Sequence, residues 1–89
     1  MHELGLAQSI VDIIRANVPA GRAAGVREVR LRVGETAGVL VESLEFCFGV
    51  AVVGTPYASA VLVVDRVPGH DLQVVSVELD DDPAGGGTP

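Results

Sequence analysis

The chain has 89 residues, 48% of them hydrophobic, and a net charge of -6 set by six arginines against twelve acids. That length fits one compact domain and is too short for two ordinary ones, and the negative balance excludes a nucleic-acid partner held by its phosphates. No apolar run reaches the ~18 to 20 residues that cross a bilayer, so no membrane partner is expected. A single cysteine, Cys47, can neither close an intrachain disulfide nor supply paired Cys-x-x-Cys zinc ligands.

The chain opens on Met1-His2-Glu3, which can set an amine, an imidazole and a carboxylate beside two backbone amides, a donor cluster that suits a divalent metal. His2 and Glu3 also stand where a positively charged leader would begin, so a cytoplasmic location is expected. Leu6, Ile10, Ile13 and Ile14 then recur at helical spacing, with Ala7 and Val11 widening the stripe, which predicts a first helix from about Glu3 to Asn17. Pro19 and Gly21 stop it. Val29, Leu31 and Val33 alternate with Glu28, Arg30 and Arg32, the pattern of a half-buried strand from Val26 to Val33.

After a connection over Gly34 to Val41, the residues Leu44, Cys47, Phe48 and Ala51 mark the inner face of a second helix, with Glu42 and Glu45 in its first turn opposing the positive end of its dipole. Gly54-Thr55-Pro56 breaks the chain. Two β-branched runs follow, Ala60 to Val67 and Leu72 to Leu79, separated by Pro68-Gly69-His70-Asp71, and the natural reading of that pair is a hairpin. Asp80, Asp81 and Asp82 lead into a Pro- and Gly-rich end, which reads as a solvated, flexible tail over residues 81–89. The order helix, strand, helix, strand, strand predicts an α/β two-layer sandwich. Its first two strands would run parallel through a crossover helix, and two helices would cover one face of a three-stranded mixed sheet.

Several of these segments, taken together, resemble one family. Met1-His2-Glu3-Leu4, Ser9-Ile10-Val11, Val33-Gly34-Glu35, Val41-Glu42-Ser43-Leu44-Glu45-Phe46-Cys47-Phe48, Gly54-Thr55 and Val75-Ser76-Val77-Glu78-Leu79 are similar, in order, to the hydrogenase-maturation nickel chaperones known as HypA. The resemblance implies a nickel-binding domain over residues 1–80 that binds Ni(II) through Met1, His2 and Glu3. It also implies delivery to a hydrogenase large-subunit precursor with the help of the GTPase HypB, and in some members service to urease. The family inserts a zinc module with two Cys-x-x-Cys pairs between its last two strands. Here only Pro68 to Asp71 stand there, so zinc is not expected.

The chemistry of the first residues agrees with a nickel cargo. The Met1 amine, the His2 amide and the near ring nitrogen of His2 can close two adjacent chelate rings, and the Glu3 amide can complete a plane of nitrogen donors. Tetragonal nitrogen and oxygen surroundings favour Ni(II) or Cu(II) over zinc, with Cu(II) the tighter of the two. The first amides of a helix have no intrahelical partner, so using them as ligands sacrifices no helix hydrogen bond. Glu3 is a charge-balancing candidate even where its carboxylate never touches the ion.

The other candidates read as structure. Cys47 is expected as a small core residue, His70 as an exposed turn residue, and Arg27, Arg30 and Arg32 as a solvated strand face or docking patch. No nucleophile beside a histidine base, no carboxylate pair and no cofactor fingerprint supports an enzyme. Two further readings stay open: a metal-independent docking module for the GTPase or a hydrogenase subunit, and a homodimer formed through an unpaired sheet edge.

Overall fold

The computed structural model describes residues 3–80. Helix α1 spans Glu3–Asn17 and buries Ala7, Ile10, Val11 and Ile14. Its apolar stripe is rotated slightly from the sequence expectation, since Ile13 remains 42% exposed while Ala7 and Val11 are fully covered. The last helical carbonyls are closed by the Val18 amide donating to Ile14 and by the Asn17 side chain donating to Ile13. Pro19 then denies the next turn its amide donor, and a short 3-10 helix, Ala20–Gly25, carries the chain into the sheet.

Strand β1, Val26–Gly34, is the centre of that sheet. Alternation sends Val29, Leu31 and Val33 into the core and leaves Glu28, Arg30 and Arg32 on the opposite face. Helix α2, Val41–Ala51, buries Leu44 and Phe48, with Val52 just beyond its end. Cys47 and Ala51, expected on its inner face, are half-buried at the margin. Tyr57, in the turn that follows, is 3% exposed and belongs to the core.

Strands β2, Val61–Val67, and β3, Leu72–Leu79, do not form the expected hairpin. The strand order is β2-β1-β3, with β2 parallel and β3 antiparallel to the middle strand. The two-layer α/β architecture and the mixed sheet therefore stand as expected, but the last two strands flank β1 instead of pairing with each other. Both are edge strands, so the edges open to self-association are those of β2 and β3. The inner-face register sets Leu62 and Val77 either side of Val29, and Val64 and Val74 either side of Leu31. A bulge at Val75 absorbs one extra residue on β3.

The physical reason a link of four residues can connect β2 to β3 lies at the end of β1. Flanking strands lie about 10 Å apart across a central one, a span that Pro68 to Asp71 cover by passing directly over Gly34. The Gly34 amide donates to the Asp71 carbonyl at 2.7 Å, Glu35 to Val67 at 2.8 Å, and Thr36 to Gly69 through its amide at 2.9 Å and its hydroxyl at 2.7 Å. The short link is thus strapped to the central strand.

Candidate metal centre

Met1 and His2 lie outside the described residues, so the described part of the expected site is Glu3. It is the first residue of α1, and helix geometry leaves the amides of the first turn without intrahelical acceptors. Its carboxylate reaches sideways: Oε2 accepts a hydrogen bond of 3.3 Å from the Leu40 amide. Leu40 is the N-cap residue of α2, and its own side chain makes no capping bond. Glu3 therefore supplies from another helix an acceptor at a position where the local sequence has none, and its negative charge sits at the positive end of the α2 dipole.

This link has a chemical consequence at the start of α1. With the Glu3 carboxylate turned toward Leu40 through Oε2, its Oε1 and the Glu3 main-chain groups are left as the donors Glu3 can offer a cation. Next to Leu40, a depression of about 310 Å³ runs past Val39, Glu42 and Ser43 to Arg66, near the end of β2. Arg66 and Glu42, the first-turn acid of α2, both line it.

The remaining candidates do not join this centre. His70 is exposed on the crossing link, and Cys47 is half-buried on α2. Among the described residues no three His, Cys, Asp or Glu side chains converge as a metal site. Two of the three β1 arginines are matched with acids: Arg27 contacts Asp80 at 2.8 Å, and Arg30 lies between Glu28 at 3.0 Å and Asp65 at 3.4 Å. The hydrogen bond to Asp65 is the main influence raising the Arg30 pKa above its ordinary value. These side chains are partly exposed to solvent. Leu40 is the residue that sequence reasoning missed, and the available signal was a helix start lacking any Ser, Thr, Asp or Asn to cap it.

Comparison with known proteins bears on the same segment. The profile of the family described as "Hydrogenase/urease nickel incorporation, metallochaperone, hypA" matches residues 1–72. A hydrogenase maturation factor HypA from Streptomyces avermitilis is 47% identical over 71 residues, covering 79% of this chain and 54% of its own length. Proteins of the same name from Desulfosudis oleivorans and Chloroflexus aggregans are 44% and 41% identical over 69 and 68 residues, each covering 76% of this chain and 60% of the relative. The chain thus spans little more than half the length of these curated relatives. With the matched segment running from Met1 through both helices to the start of β3, the chain belongs to the HypA family of nickel-incorporation metallochaperones.

Proposed function

We propose that this chain is a carrier of Ni(II), not an enzyme, and that residues 1–80 form the nickel-binding unit. In this proposal the Met1 amine, the His2 amide and ring nitrogen, and the Glu3 amide hold the ion in a plane. The cargo passes, in the cytoplasm, to a hydrogenase large-subunit precursor with a HypB-type GTPase as helper. The observation that carries the proposal is the family match, which begins at residue 1 and so includes Met1-His2-Glu3. The position of Glu3 gives further support: the first amide of a helix is free to act as a donor at no cost in helix hydrogen bonds. The deprotonated amides are anionic and are favoured by the dipole of α1.

The donors bind only after losing protons, so the site releases its ion on acidification, as a carrier requires. The single Cys47 provides no four-thiolate centre, and zinc has no place in the proposal. Calorimetric titration of Ni(II) into protein with a free Met1 amine, and into the same protein extended by a short Gly-Ser leader, tests it. Tight binding in the first and its loss in the second are expected. Equal binding in both rules out the site, and no binding in either, with the fold intact, points instead to a docking module without metal duty.

A further inference from the structure

Helix α2 is apolar on two faces, and only one of them is covered. Leu44, Phe48 and Val52 are at most 2% exposed, whereas Phe46, Val50 and Val53 are 73, 51 and 73% exposed. At 3.6 residues per turn, Phe46 and Val50 fall about 40° apart and nearly opposite the core-facing side, and Val53 follows in the turn just beyond the helix end. Phe46 is one of only two phenylalanines in the chain. A helix apolar all round is ordinarily buried all round, and an exposed apolar strip that carries an aromatic is the anatomy of an interface anchor.

The charges around the strip identify the kind of partner. Glu42 lies on the same stripe one turn before Phe46, Glu45 lies on its flank, and both are exposed. From Leu40 to Gly54 the chain has no basic residue. A second copy of the same face would bring apolar groups but no countercharge, and would set glutamates against the negative carboxyl end of the opposing helix. A cationic rim answers both glutamates. We propose that the outer face of α2 is a docking surface for an amphipathic helix of another protein, one whose apolar stripe is rimmed by lysine or arginine.

This surface involves α2 and the turn that follows it and does not depend on nickel binding. Its place in the fold still matters. The Leu40 amide bonded to Glu3 stands at the amino end of the same helix, so a helix laid along α2 comes beside Glu3.

The test uses the 15N-labelled chain and a synthetic amphipathic peptide with a leucine stripe and a lysine rim, followed by amide chemical shifts and by anisotropy of the labelled peptide. Shift changes confined to Glu42 through Val53 are expected. Phe46→Ser and Val53→Ser, which change neither charge nor core, should each weaken binding by about tenfold or more. Glu42→Gln with Glu45→Gln should weaken it several-fold, and a glutamate-rimmed peptide of the same stripe should not bind. Circular dichroism checks that each variant is folded. Unchanged affinity in Phe46→Ser, or shifts centred elsewhere on the chain, would overturn the proposal. So would a free dimer in sedimentation that Phe46→Ser dissociates, because a second copy would then be the occupant.

Discussion

The backbone of Gly34 lies against the carbonyl group of Gly69: a side chain added at Gly34 would overlap the Gly69 carbonyl and the His70 nitrogen. All of the opposing atoms are main chain and are held by the hydrogen bonds of the crossing link, so they cannot swing aside. Gly34→Ala is expected to destabilise the fold by about 1–3 kcal/mol, the usual cost of forcing a methyl group into a filled space. Gly69 poses a different problem, for it has open space around it but a φ of +104°, so Gly69→Ala should cost about 1 kcal/mol through backbone strain. Urea denaturation of the two variants checks both figures.

Glu3→Ala removes the acceptor of the Leu40 amide but leaves the Glu3 amide in place. The expected result is faster hydrogen exchange at Leu40 and a stability loss of about 1 kcal/mol or less, with the absorption spectrum of the nickel complex unchanged. Glu3→Gln, which keeps an acceptor oxygen, should restore most of the protection. A shifted nickel spectrum in Glu3→Ala would show that the carboxylate is itself a ligand.

Leu31 and Ile14 are fully buried, one on the central strand and one on α1. Truncating either to alanine should cost about 2–5 kcal/mol, the transfer loss plus the cavity left behind. For a domain of this size that is a large share of a total stability of roughly 5–15 kcal/mol. Thermal or chemical unfolding followed by circular dichroism measures it. Arg32→Ala, on the open face of the sheet, should leave the midpoint almost unmoved.

Nickel affinity should depend steeply on pH. The amine and the amides bind only as deprotonated donors, so the bound state carries fewer protons than the free one and raising the pH favours it. The apparent affinity is expected to rise by about tenfold or more per pH unit on the acid side of neutrality. Competition against a chelator at several pH values gives the slope, and a flat profile would exclude amide ligation.

Much of the architecture was legible in the residues. The helical spacing from Leu6 to Ile14 and the alternation from Glu28 to Val33 locate α1 and β1, because burial of one face imposes those periods directly. The pairing of the last strands was not legible. A four-residue link containing Pro and Gly is the ordinary mark of a hairpin, and nothing local to Pro68-Gly69-His70-Asp71 discloses that β1 lies between the strands it joins. The telling residue is Gly34, 35 positions before Gly69 in the sequence. The candidate site divides in the same way: Met1-His2-Glu3 is a local motif and can be read from the chain, whereas the Leu40 contact joins a side chain to a backbone amide 37 residues away, and the uncapped start of α2 shows that an acceptor is wanted there without showing that Glu3 supplies it.

The most direct measurement is titration of Ni(II) into protein bearing a free Met1 amine, followed through the d–d absorption, with His2→Ala as the control. A yellow, roughly equimolar square-planar complex that vanishes in His2→Ala is the predicted result. A complex that persists in the variant, or a folded protein that gives no specific complex at all, would contradict the nickel-carrier account.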